Sequence, residues 1–433
     1  MTGSFSNRLK SLWRTLLSTG FFSIAGSTVI NRILSFMSGI LVVRILSKAD
    51  YGVYAYAYNI LNIAILFNGL GFASAFIQLC SEPGGRAKEI QLERWGFIGG
   101  GFFDLLLSAG IFLWATLVPE DMPGTRMLLQ VCALFPIPQF VFDMQSSALR
   151  AQLRNDEYAL SNMTNTACVV AGTLAGAFLA GSVGLLVGRV LGTLASVICV
   201  RARLRVPLLL CLPPGYSEGQ DAQLSRAELI DYAKIAVSSA LANGISSFTY
   251  LIGTFMLGRL LADPLEVASY EAASAIPVAL NFVPVTVMTY AYPYFARHKG
   301  DLAWVRRNYA RILALSFVGF GIITLVCVIG APWIVSLMYG DQYLSSVPAF
   351  RVLAIGSWIG ATFRIVSGNL LVTQRLVFAN LVGTTLTVAS ILAFNVILVP
   401  SMGSLGSAIA QTVGLSISGM FNTIVFGIKI RSK

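Results

Sequence analysis

The basic residues of this chain are sorted along it. Twelve long apolar stretches are joined by short loops, and nearly every cationic loop is an alternate one. The stretches fall at about 20–46, 52–80, 95–118, 127–149, 158–181, 183–204, 232–259, 265–295, 309–335, 347–373, 376–399 and 404–428. A crossing needs ~20 mostly apolar residues to cover a hydrocarbon core of ~30 Å. Only 11% of the 433 residues are charged and 56% are hydrophobic, whereas soluble domains carry about 25% charged residues. The solvent for this chain is lipid. Its crossings are helices, because a helix satisfies its own backbone hydrogen bonds there. A membrane barrel would show alternating segments of ~10 residues instead.

One set of flanks holds twenty-two of the thirty cations, from Arg8, Lys10 and Arg14 through Arg86, Lys88, Arg94, Arg150 and Arg154 to Lys429, Arg431 and Lys433. The opposite flanks hold four: Arg44, Lys48, Arg126 and Arg259. Cationic loops stay in the cytoplasm, so both termini are expected there, and the number of crossings is even. The net charge of +11 then reports topology and contact with anionic membrane lipids. A nucleic-acid partner is excluded, since the cations are spread over seven separate flanks. The apolar run from Phe21 to Leu46 exceeds the 7–15 residues of a secretory signal core and reads as an uncleaved first helix. Six dispersed cysteines suggest neither a disulfide framework nor a metal site.

The longest hydrophilic stretch, Arg201 to Arg226, contains Pro213, Pro214 and Gly215. It divides the chain into a cytoplasmic segment 1–19, an N-lobe 20–204 of six spans, a linker 205–231, a C-lobe 232–428 of six spans and a tail 429–433. The halves are similar at equivalent places. Asn31, Phe36 and Arg44-Ile45-Leu46 in the first span match Asn243, Phe248 and Arg259-Leu260-Leu261 in the seventh. With six spans per half the repeat is parallel, and two facing bundles would enclose a central cavity. The fold class is therefore an all-α integral membrane protein of about twelve helices in two six-helix lobes.

Polar residues inside spans carry the chemistry. Thr28, Asn31, Arg32, Ser35 and Ser38 form a stripe on the first span, and Ser239, Asn243, Ser246, Tyr250 and Thr254 form one on the seventh. The second span carries Tyr51, Tyr54, Tyr58 and Asn62; the eighth carries Glu271, Ser274 and Asn281 beside Pro277 and Pro284; the tenth carries Ser357, Arg364 and Ser367. Arg32 and Arg364 sit near mid-span, where an arginine costs ~2.5–3.5 kcal/mol even on insertion scales. Arg189 lies closer to the outer end. Two readings compete. The arginines bind an anion in a water-filled cleft, since a guanidinium fork matches phosphate oxygens, or they are buried in ion pairs, for instance Arg32 with Asp104. The acids Asp104, Asp143 and Glu271 are either salt-bridge partners or carriers of a proton or sodium ion. The tyrosines are either sugar contacts or packing. Pro136, Pro138, Pro277 and Pro284 are expected to break or bend the fourth and eighth spans. No phosphate-cradling loop, metal cluster or nucleophile–base pair is visible, so no cofactor and no enzyme is expected.

The run Arg44-Ile-Leu-Ser-Lys-Ala-Asp50-Tyr51-Gly52-Val-Tyr54 resembles the first-loop signature of Wzx-type polysaccharide flippases. These belong to the superfamily that also holds MATE multidrug exporters and lipid II flippases. Leu337-Met338-Tyr339-Gly340-Asp341 and Gly403-Ser404-Leu405-Gly406-Ser407-Ala408-Ile409-Ala410 add to the resemblance, which spans residues 20–428. It implies a multi-pass protein of the bacterial cytoplasmic (inner) membrane. It also implies export of a polyprenyl-diphosphate-linked oligosaccharide by alternating access, with polysaccharide polymerase or assembly proteins as partners. Nothing in the sequence demands more than a monomer. The residues expected to contact diphosphate or glycan are Arg32, Arg364, Arg189, Asn31, Asn243, Tyr54, Tyr58 and Asn281. Two alternatives remain: an organic-cation antiporter of the same superfamily, which would want a net acidic cleft, and a membrane polymerase or ligase, which would want a larger external loop than Val118–Thr125 offers.

Overall fold

In a computed structural model, which describes residues 21–82, 86–120, 122–204 and 224–431, helix follows helix and no strand occurs among the described residues. Among the described residues nine helical runs are long and apolar enough to cross a membrane, and the broken pair Arg226–Phe248 and Ile252–Leu261 makes a tenth. Two of the nine, Asn155–Leu204 and Val377–Arg431, have 50 and 55 residues. At ~1.5 Å per residue each is more than twice the length a ~30 Å core requires. Each contains a single reversal. Backbone dihedrals leave the helical region at Ala180 and Gly181 in one and at Gly403 in the other. Resolving each run into two crossings gives the twelve expected from the sequence.

Close backbone contact proves the reversal. A Cβ on Gly176 would lie 1.9 Å from the carbonyl oxygen of Gly184, one on Gly172 would lie 2.2 Å from that of Gly188, and one on Gly192 would lie 2.5 Å from that of Cys168. The partners run in opposite directions, so the fifth and sixth spans form an antiparallel hairpin zipped by glycines. The eleventh and twelfth spans repeat it: Gly406 abuts the Leu398 carbonyl and Gly414 abuts Ile391. Gly181, Gly184 and Gly192 thus have counterparts at the same spacing in Gly403, Gly406 and Gly414. The turn conformations also agree, with φ 59° and ψ −138° at Gly181 against φ 55° and ψ −133° at Gly403. The internal repeat, weak in sequence, is explicit in geometry.

The chain divides into two compact units. The first comprises 1–46, 61–120 and 126–244; the second comprises 47–60, 121–125 and 245–433. The first is centred on Phe76, Phe97, Phe140, Met144, Leu149 and Tyr232. The second has a core of Met288, Phe295, Val305, Leu370, Leu371 and Phe426. Many other large apolar side chains point outward, as at Phe102, Trp114, Ile322 and Trp333. That distribution suits helices whose outer faces meet lipid tails.

The first-loop signature is an anchor within the second unit. Gly52 is obligatory there, because a Cβ would fall 1.9 Å from the carbonyl oxygen of Pro264. Lys48 donates to the Gln342 carbonyl at 3.1 Å and to Ser345 Oγ at 2.8 Å. The Ser47 hydroxyl and Asp50 cap the helix that follows: Ser47 Oγ donates to Asp50 Oδ2 at 2.6 Å and accepts from the Asp50 N–H at 3.1 Å. The Gly403-Ser404 motif is likewise structural: Glu266 accepts the Ser404 N–H at 2.6 Å, satisfying the start of the last span.

The fourth span starts anew at Pro136 after a turn at 133–135, and the eighth, continuous through Pro277, is interrupted at Asn281, three residues before Pro284. Both breaks fall where proline predicts them. Three other irregularities have no proline. The second span breaks at Phe67–Gly71, the seventh at Thr249–Leu251, and the tenth is π-helical over Gly360–Ile365.

Candidate functional site

The break in the second span organises the polar interior of the first unit. Gly69 and Leu70 both take positive φ, at 53° and 46°. For leucine that conformation is unfavourable and must be held by its surroundings. Two carboxylates do the holding. Asp104 of the third span accepts the Gly69 N–H at 2.8 Å, and Asp143 of the fourth accepts the Asn68 side-chain amide at 2.9 Å. Asp143 is steadied on its other oxygen by Gln139, also at 2.9 Å. Asp104 is fully buried, and its Oδ2 has no hydrogen-bond partner. Its bond is thus to backbone, and the pairing with Arg32 entertained from the sequence is not what holds it.

Beside this break lies a cavity of about 350 Å³. Its polar wall is built by Asn68, Asp143, Arg150, Tyr158, Asn162 and Asn243. The Arg150 guanidinium lies over the Tyr158 ring, 5.5 Å from its centroid. Asn162 donates to the Tyr158 carbonyl at 2.9 Å, which turns its Oδ1 into a free-standing acceptor. One cation and one carboxylate therefore share a chamber of amides and hydroxyls.

In the second unit Arg364 sits in the π-helical segment of the tenth span and is half-buried. Such segments recur at functional sites because they re-aim side chains. Its Nη1 donates to the Tyr250 hydroxyl at 3.3 Å. Tyr250 is itself at the break of the seventh span. Next to it is a small void of about 20 Å³ between Tyr250, Tyr270, Ser274, Ser357 and Gln411, the size of one water with polar partners on several sides. Glu271 accepts the Thr254 hydroxyl, and Ser357 donates to the Pro277 carbonyl at 3.2 Å, the carbonyl that the proline-induced break sets free.

The remaining expected residues are dispersed. Arg32 is exposed on Phe21–Ile45, whose buried edge runs through Ser27, Ser38 and Val42. Asn31 is half-buried, with its Oδ1 lacking a hydrogen-bond partner. Arg189 is half-buried in the sixth span. Asn281 marks the break of the eighth. Tyr54 is buried and stacks on Tyr58, with centroids 5.5 Å apart and planes 10° apart. Tyr51 meets Tyr343 edge-on at 6.5 Å. The cavity joins Asp143 and Asn243, both singled out in the sequence, to Asn68, Arg150, Tyr158 and Asn162, which were not. The missed signal is that Arg150, Tyr158 and Asn162 flank one short connection, with Tyr158 and Asn162 one helical turn apart.

The chain matches the model of the family described as polysaccharide biosynthesis protein over residues 41–348, and it belongs to that family. No curated protein sequence matches it. Among solved structures it is similar to the lipid II flippase MurJ in an inward closed conformation, with a TM-score of 0.73 at 12% identity over 94% of this chain and 87% of that one. An inward-facing multidrug resistance MATE transporter of the MOP superfamily gives 0.72 at 13% over 95% and 98%. A MOP superfamily transporter from Pyrococcus furiosus, whose reversed pocket polarity suggests a different function, gives 0.54 at 13% over 96% and 93%. These likenesses establish the fold: the chain is a multi-pass membrane protein with the architecture of MOP-superfamily transporters.

Proposed function

We propose that this protein moves a polyprenyl-diphosphate-linked oligosaccharide from the cytoplasmic to the outer leaflet of a bacterial cytoplasmic membrane, by alternating access, for assembly of a surface polysaccharide. Family membership supplies the polysaccharide. The observation that carries the lipid-linked diphosphate is Arg364. A guanidinium in mid-span is expensive, yet here it is displayed on a π-helical turn with a tyrosine hydroxyl on one nitrogen. The rest of its planar fork is suited to two phosphate oxygens at once. A charge kept at such depth on an irregular turn has no packing rationale, whereas a diphosphate needs a cation where its headgroup crosses.

Arg32, exposed on the first span, is the second candidate. The test is delivery of the polyprenyl-linked glycan to the outer leaflet by Arg364→Ala and Arg32→Ala, at matched expression. Each is expected to fall at least tenfold, with Arg364→Lys intermediate because it keeps the charge and loses the fork. Normal delivery by a well-expressed alanine variant removes that arginine from the site. Normal delivery by both, with loss of resistance to an organic cation, would favour an antiporter.

A further inference from the structure

The cavity of the first unit is left unused by a diphosphate bound at Arg364. Its volume, about 350 Å³, falls within the ~300–1,000 Å³ of small-ligand pockets. Its chemistry narrows the ligand. Asp143 and Arg150 give one negative and one positive charge, so the wall is formally balanced. A free phosphate would call for an excess of cations and an organic cation for an excess of carboxylate. A lipid tail would call for an apolar lining. Here Ile65, Leu66, Ile77 and Phe142 share the wall with polar side chains that offer both acceptors and donors. Asp143 is fixed by two amide donors, at 2.9 Å each, and keeps further lone pairs. Asn162 presents its Oδ1 and one N–H, since one of its two amide hydrogens goes to the Tyr158 carbonyl. Arg150 is laid over the Tyr158 ring at 5.5 Å, which holds its remaining N–H groups in place as donors. Asn243 is exposed and adds one of each kind. Preset donors and acceptors without net charge match vicinal hydroxyls.

We infer that this cavity is a sugar subsite, holding an uncharged pyranose of the cargo's glycan between Asp143, Arg150, Asn162 and Asn243. The inference rests on the reading that the cargo carries a glycan. It places recognition of that glycan in the first unit, apart from Arg364. Asp143 and Arg150 are seven residues apart on one helix, ~10 Å along its axis. The subsite therefore spans the depth between the cationic cytoplasmic flank and the broken second span.

The test uses the full-length protein in lipid nanodiscs. The probe is the repeat-unit oligosaccharide released by mild acid from the host's own polyprenyl carrier, with binding read by saturation-transfer NMR. Wild-type protein is expected to transfer saturation to the oligosaccharide. Asn162→Leu and Asn243→Leu are each expected to weaken binding at least tenfold while keeping the wild-type thermal midpoint. No transfer to wild type, or wild-type affinity in both folded variants, overturns the subsite. Displacement of the oligosaccharide by pyrophosphate assigns the cavity to an anion, and displacement by tetraphenylphosphonium assigns it to an organic cation; either also overturns it. Because the probe carries no diphosphate and nothing is transported, failure here leaves the Arg364 result standing. Failure of Arg364→Ala to impair delivery likewise leaves this binding unaffected.

Discussion

Gly176 has no room for a methyl group: its Cβ would sit 1.9 Å from the Gly184 carbonyl oxygen, a backbone atom that cannot rotate away. Gly176→Ala must therefore force the fifth and sixth spans apart. Overpacking of this kind costs about 1–3 kcal/mol, and the midpoint of thermal unfolding in detergent should fall accordingly. Gly319→Ala is the control, since no atom lies within 4 Å of its Cβ; its midpoint should stay level or rise slightly, because alanine favours helix over glycine. Equal midpoints for the two variants would refute the zipper. In the sequence these glycines are indistinguishable, because glycine is common throughout membrane helices; only pairing across the hairpin separates them. The tyrosines teach a related lesson. Tyr54 and Tyr58 read either as sugar contacts or as packing, and burial of Tyr54 against the Tyr58 ring is something that spacing along one helix does not disclose.

At the level of elements, proline accounts for two breaks and not for the others. Pro136 and Pro284 lack backbone donors for the turn that precedes them, so the fourth and eighth spans open just ahead of them. The break at Gly69 and Leu70 depends on partners from other spans. Asn68-Gly69 and Gly71 are turn formers within an apolar run, but the acceptor of the Gly69 N–H is Asp104, 35 residues on in another span, which the local run does not disclose. The same holds for the cavity. Asp143 and Asn243 stood out as polar residues in apolar runs, whereas Arg150 passed for an ordinary cytoplasmic cation. The pinned break makes a prediction that separates hydrogen bonding from charge. Asp104→Leu leaves the Gly69 N–H unpaired in a buried site, which costs about 1–3 kcal/mol. Asp104→Asn keeps an acceptor at the same place. Thermal unfolding should show a large drop for the leucine variant and a small one for asparagine. Equal drops would mean that the negative charge, and not the bond to Gly69, is what the break needs.

For the whole molecule, the alternation of cationic flanks did more than mark a membrane protein. It required an even number of crossings, and the two hairpin reversals at Gly181 and Gly403 complete that even set. It also isolated the few cations that topology does not need, among them Arg364. The alternation further predicts one orientation. It expects the reversal at 400–403 to be external and the turn between Arg297 and Leu302 to be cytoplasmic. Ser401 and Gly300 are both exposed and suit a direct test in a background lacking the six native cysteines. In intact cells a membrane-impermeant maleimide should label Ser401→Cys and spare Gly300→Cys, and lysis should render both reactive. The opposite pattern would invert the orientation and, with it, the direction of transport. Labelling of both in intact cells would break the even count on which the twelve-span reading depends.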